Sequence, residues 1–140
     1  MEEQKITVPG TLDSLGTIAK CVMEAAKDAG LDKKKAYKLR LAVDEIATNI
    51  VTHGYEEAGK NGDIDLEVAV NEQALTIILS DTGVEFDPTQ KPPQDDLHLP
   101  IEERDIGGLG VHLAIDSVDE LKYKREGENN YNIFIVNRTQ

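Results

Sequence analysis

Residues 63–81 read "DIDLEVAVNEQALTIILSD". Two runs of strand-forming residues, 63–70 and 74–81, are joined by the short polar link Asn71-Glu72-Gln73, a hairpin-like connection. Working outward, "QKITV" (4–8) alternates polar and apolar residues and predicts an edge strand. Pro9 and Gly10 end it. Leu12, Leu15, Ile18, Ala19, Val22, Ala25 and Ala26 then form one helical stripe, with Gly30 as its stop. Asp32 is placed to cap a second helix from 33 to about 57, and Gly59 to Gly62 make a turn. Downstream, 84–106 has no sustained period and contains "DPTQKPP"; so long an irregular stretch in a compact domain predicts a functional lid or a disordered loop. "GGLGVHLAIDSVDEL" (107–121) reads as a Gly-opened helix. "LKYKRE" (121–126) and "NYNIFIVNR" (130–138) read as closing strands linked by "GENN". The order β-α-α-β-β-lid-α-β-β does not alternate strands with helices, so a doubly wound parallel sheet is excluded. A mostly antiparallel sheet with helices stacked on one face, an α+β two-layer sandwich, is expected. We find no internal repeat, and expect residues 1–140 to form a single domain.

Composition narrows the function classes. The chain has 140 residues, enough to bury roughly 68–70% of its unfolded surface. It lacks Trp, so Leu, Ile, Val and Ala must fill the core. No apolar run approaches the roughly 20 residues that span a bilayer, and the start carries no signal-peptide pattern. One cysteine, Cys21, allows no internal disulfide; a reducing cytoplasm is expected, and no membrane partner. A net charge of −12 with no basic stretch of nucleic-acid type argues against direct DNA or RNA binding. Any phosphate ligand would need a divalent metal, backbone N–H groups or a few local cations.

Three places can hold chemistry. In "RLAVDEIATNIVTHGY" (40–55), Glu45 and Asn49 lie four residues apart, on one helical face and about 5–6 Å apart at Cβ. Leu41, Ala42, Ile46, Ile50 and Val51 around them predict a pair bordering the core. Such a pair suits a hard cation such as Mg²⁺, or a base beside a metal ligand; it also fits ordinary solvated polar residues. In "IILSDTGVEFDP" (77–88), Asp81 ends an apolar strand and Gly83 turns the chain. That Asp is placed either to accept an exocyclic amine such as adenine N6, or to cap its own turn. In "DIGGLGVHLAI", Gly107, Gly108 and Gly110 open a helix whose N–H groups favour anions; a plain hinge is the other reading. No P-loop motif is present.

Taken in order, these stretches resemble three boxes of the GHKL (Bergerat-fold) ATPases. "AVDEIATNIVTHGY" is similar to the N box, "SDTGVEFDP" to the G1 box and "GGLGVHLAI" to the G2 box. The short chain, its "ITVPGTLDSLGTI" start and the "N-x-V-x-H-G/A-Y" wording resemble the bacterial anti-sigma factor serine kinase branch. The resemblance spans essentially the whole chain and is strongest over 40–115. It implies a Bergerat fold with a mobile ATP lid at about 84–107, ATP and Mg²⁺ as cofactors, and transfer to Ser or Thr. The acceptor would be a small anti-anti-sigma-type protein; the chain would also sequester a sigma factor and form a homodimer.

Residue by residue, it assigns Asn49 to Mg²⁺, Glu45 to the general base and Asp81, with Gly83 behind it, to adenine. Gly107, Gly108 and Gly110 are assigned to the phosphates. His53 falls at the N-box histidine, near the nucleotide, although a packed helix-end His also fits. Arg104, in the lid, is a candidate for the γ-phosphate or for a surface pair with Glu102 or Glu103; Lys91 is a weaker one. The family often has a Thr in the last strand that supports adenine; here Asn132 stands at about that place. Three alternatives stay open: a nucleotide-gated binding module with little or no transfer, a stand-alone histidine-kinase catalytic module, and a scaffold retaining the boxes as remnants.

Overall fold

The computed structural model describes residues 2–88 and 116–138. Of the helix expected at 107–121, residues 107–115 lie outside the described residues, as does most of the expected lid. The expected helix does not run to 121, because 117–119 form a turn and Glu120 and Leu121 already belong to a strand. The described chain is an α+β two-layer sandwich. Its five strands are β1 (Glu2–Pro9), β2 (Asp63–Val70), β3 (Ala74–Asp81), β4 (Glu120–Glu126) and β5 (Asn129–Asn137). They lie in the order β1-β2-β3-β5-β4, and every neighbouring pair is antiparallel. The expected edge strand is β1. The 63–81 stretch forms the β2–β3 hairpin, closed by Asn71 Oδ1, which accepts from the Gln73 and Ala74 N–H groups.

One sheet face is covered. Ile64, Leu66, Leu75, Ile77, Leu79 and Phe134 are fully buried. They pack with Ile18, Val22 and Ala26 of α1 (Leu15–Asp28) and Leu39, Val43 and Ile46 of α2 (Lys33–Asn49). Small Ala residues on both helices (Ala25, Ala26, Ala42, Ala47) let the helices sit close to each other and to the sheet.

Local signals set the helix ends. A 3₁₀ turn, Leu12–Ser14, precedes α1, so Leu12 is 49% exposed and does not join the buried stripe expected of it. After Asp28, Gly30 takes φ +79, Leu31 N–H reaches Ala26 O and Gly30 N–H reaches Lys27 O. This pair of bonds is the Schellman closure, which favours Gly at that position. Asp32 caps α2 by accepting the Lys35 N–H at 2.8 Å. Three lysines, Lys33 to Lys35, fill the first turn, where the helix dipole favours acids; each exposed cation there is unfavourable by about 0.3–1 kcal/mol.

The second helix departs from the single α-helix to about 57 that periodicity predicts. It is α-helical to Asn49 and continues as a π-helix, Ile50–Glu56. Thr48 and Thr52 hydroxyls bond back to the Asp44 and Thr48 carbonyls, at 2.7 and 2.8 Å, a habit that loosens the regular ladder. Within this wider segment Tyr55 is 1% exposed. Its hydroxyl donates to Asp63 O at 2.7 Å and accepts the Thr82 N–H at 2.9 Å. One phenol thereby ties the end of the helix to the start of β2 and to the residue after β3.

Candidate functional site

The end of α2, the end of β3 and the start of β5 meet at one pocket. Its walls are Ile46, Asn49, Ile50 and Gly54 from the helix, and Asp81, Val84 and Phe86 from β3 and its sequel. Asn130 and Asn132 of β5 complete them. Strand alternation decides which side chains arrive there: on β5 the helix-facing series is Asn130, Asn132, Phe134 and Val136, so the apolar core gives way to two carboxamides at the pocket end.

Asn49 is 6% exposed and Asp81 4%. Burial pushes the Asp81 carboxyl above the usual aspartate range, against the pull of Asn130, the Gly83 N–H, Arg125 and Lys60. Asp81 Oδ1 accepts from Gly83 N at 2.8 Å and from Asn130 Nδ2 at 2.9 Å. Among the described residues no hydrogen bond reaches its second oxygen. The Asn130 carbonyl oxygen in turn accepts from Arg125 at 2.8 Å and from the Tyr123 hydroxyl. Asn132, 3% exposed, has a buried Oδ1 with no hydrogen-bond partner among the described residues. An orphaned amide oxygen beside a buried carboxylate is costly unless something else satisfies it.

Gly83 has a second duty. A Cβ on it would lie 2.7 Å from Gly54 O, so the β3 turn and the π-helix touch backbone to backbone. Val84 N–H bonds Gly54 O at 3.1 Å across this contact.

Of the residues singled out from sequence, Asn49 and Asp81 share the pocket and Gly83 buttresses it. Glu45 is half-buried one helical turn before Asn49 and is not among the lining residues; burial raises its carboxyl above the ordinary range. Leu41, expected beside Glu45 as core, is 45% exposed. His53 sits outside the pocket lining, 2.9 Å from Glu57, with its ring 6.4 Å from that of Phe86, which does line it. Gly107, Gly108, Gly110, Arg104 and Lys91 lie outside the described residues. Sequence reasoning missed Asn130, Tyr123 and Arg125. The one available signal was the strand register, which sets Asn130 opposite Asp81.

Residues 8–135 match the Histidine kinase-like ATPase domain family. The chain belongs to that family. It is 31% identical over 121 residues to the Serine-protein kinase RsbW of Bacillus subtilis, across 84% of this chain and 75% of that one. To the RsbW of Halalkalibacterium halodurans it is 29% identical over 128 residues, across 89% and 77%. Among solved structures, the RsbU and RsbW domains of a Mycobacterium tuberculosis protein superpose with a TM-score of 0.67 at 17% identity. That match covers 97% of this chain and only 32% of the other. The histidine kinase domain of the blue-light activated histidine kinase from Erythrobacter litoralis gives 0.56 at 18%, covering 89% and 59%. These two likenesses concern the fold.

Proposed function

We propose that residues 1–140 act as one ATP- and Mg²⁺-binding domain that phosphorylates Ser or Thr of a small anti-anti-sigma-type protein and sequesters a sigma factor. It would work in the cytoplasm as a homodimer. The observation that carries this reading is the pocket that Asn49, Asp81 and Asn132 line from three elements, with Asn132 Oδ1 left without a hydrogen-bond partner among the described residues.

The donor set fits the ligands. Adenine offers an amine with two N–H groups, and Asp81 and Asn132 present oxygens in need of donors. Asn49 as a lone protein ligand suits Mg²⁺, which keeps waters and substrate oxygens in its shell, and no cluster of three acids, His or Cys exists among the described residues. When bound, Mg²⁺ supplies charge neutralisation across the phosphates, which a −12 chain otherwise lacks. Asp81 would hold the base, with Asn130 fixing the carboxylate plane. Glu45 would take the proton of the acceptor hydroxyl, and burial raises its proton affinity in the direction a general base needs. Gly107, Gly108 and Gly110 would hold the phosphates through their N–H groups, with Arg104 at the γ-phosphate and His53 against Phe86 at the pocket edge.

Labelled ATP, Mg²⁺ and a purified acceptor test the reading. Asn49→Ala is expected to lose Mg²⁺-dependent ATP binding. Glu45→Ala is expected to bind ATP and lose transfer; undiminished transfer removes Glu45 from the role of base. One observation favours a second reading, a nucleotide-gated holder of its partner: Glu45 stands outside the pocket lining. Binding of partner and ATP with no label transferred supports that reading. Label on His would make the chain a histidine-kinase module instead.

A further inference from the structure

The first half of α2 carries charge that the fold does not use. Residues 33–41 hold five of the fifteen Lys and Arg and no acid, in a chain of net charge −12. Two of the five are accounted for: Lys35 Nζ donates to Asn137 O at 3.1 Å, and Arg40 pairs with Asp44 at 3.4 Å. Lys33, Lys34 and Lys38 are exposed and have no ion pair among the described residues. They oppose the helix dipole at its N-terminal end or stand within two turns of it, so helix stability does not explain them.

The apolar residues beside them are equally out of place. Tyr37 is 54% exposed and Leu41 45%, one turn apart. At 3.6 residues per turn, positions 34, 37, 38, 41 and 45 fall within about 100° of arc, one face of the helix. Lys34, Tyr37, Lys38 and Leu41 thus form a stripe that leads along α2 to Glu45, with Leu41 about 6 Å of helix rise before it.

We infer that this stripe is the docking face for the phosphoacceptor protein, and that it recognises an acidic surface with an apolar centre beside the acceptor hydroxyl. The inference rests on the kinase reading of Glu45. An aromatic and an aliphatic side chain supply the desolvated centre, and lysines the polar rim. Charge complementarity names the partner: Lys34 and Lys38 on the stripe, with Lys33 beside it, have no ion pair among the described residues and attract an acidic face, which a chain of net charge −12 otherwise repels. Continuity with Glu45 names the partner's role, since a protein seated here lies along the same helix face as the proposed base.

Two double variants of the full chain test this, K34E/K38E and Y37A/L41A, both on exposed positions, with thermal melting as the check on folding. The probe is a purified, unphosphorylated small acceptor of anti-anti-sigma type from the same genome. Each variant is expected to raise the KM for the acceptor by about tenfold or more, with kcat and ATP affinity within about twofold of the native chain. The native KM should rise with salt, and that dependence should flatten in K34E/K38E. Unchanged acceptor KM in both variants overturns the docking face. So does loss of sigma-factor binding alone, or attachment of the native chain to anionic vesicles or RNA through these lysines. Should the native chain bind ATP without transferring, the acceptor Kd of each variant decides in place of KM. No ATP affinity in the native chain sinks the kinase reading instead, a separate outcome.

Discussion

Asn130 Nδ2 donates to Asp81 Oδ1 at 2.9 Å across directly opposed positions of β5 and β3. The same amide nitrogen lies 3.1 Å from Gly83 O, and the Asn130 oxygen accepts from Arg125 and Tyr123. A side chain bonded at both ends fixes the carboxylate it touches, so Asn130 sets which Asp81 oxygen is offered to the pocket.

Replacing Asn130 by Ala is therefore expected to cost about 1–3 kcal/mol, because Arg125, Tyr123 and Asp81 each lose a partner. ATP affinity should fall as well, since the carboxylate is free to turn. Chemical denaturation and calorimetry on the same variant measure the two effects. Unchanged ATP affinity would show that Asp81 is held by Gly83 alone.

Asn132 is expected to behave in the opposite way. Asn132→Leu removes an orphaned buried oxygen while keeping similar volume, so stability should hold or rise by up to about 1 kcal/mol. ATP should bind more weakly, and the loss should shrink for purine riboside triphosphate, which has no exocyclic amine. Equal losses for both nucleotides would mean that Asn132 does not meet the amine.

The pH dependence has a defined sign. Burial is the main cause raising Asp44, Glu45 and Asp81. Each then binds more protons folded than unfolded, so each lowers stability as pH rises from the unfolded value, 3.8 for the aspartates and 4.5 for the glutamate, through the raised folded value. Nucleotide affinity should move the other way, because Asp81 must be ionised to accept two donors fully. We expect ATP binding to weaken on acidification with a midpoint above 3.8, and Asp81→Asn to flatten the binding profile while removing only its own share of the stability slope, the shares of Asp44 and Glu45 remaining.

The two glycines at the back of the pocket should respond unequally to alanine. Gly83→Ala drives a Cβ into Gly54 O at 2.7 Å, main chain that has no rotamer to give, and about 1–3 kcal/mol of destabilisation is expected. At Gly54 the nearest atom to a new Cβ is Gly83 Cα at 3.8 Å, ordinary contact. Gly54→Ala should be neutral or stabilising by about 0.4–1 kcal/mol through the unfolded chain. Thermal melts of the pair give the comparison.

Much of the fold was legible because it is written in short-range pattern. Strands 63–70 and 74–81 and the Asp32 cap stand where the residues predicted them. The π-helix was not legible: Ile50 to Glu56 keeps an apolar rhythm that an α-helix also satisfies. What selects the wider form includes Tyr55 reaching Asp63 and Thr82, a tertiary tie. Leu41 reads as core by type and is exposed by position. The sequence brought Asn49 and Asp81 forward as single residues. It hid Asn130, since the last residue of "GENN" (127–130) reads as part of a turn. Only the register, which closes that turn to two residues and puts Asn130 against Asp81, reveals it.

Main chain seated on main chain at Gly54 and Gly83 works as a fixed gauge. The width between the wall bearing Asn49 and the wall bearing Asp81 cannot be retuned by rotating a side chain at that seam. Di- and triphosphate forms of one nucleoside would meet the same spacing there, and discrimination between them must arise elsewhere.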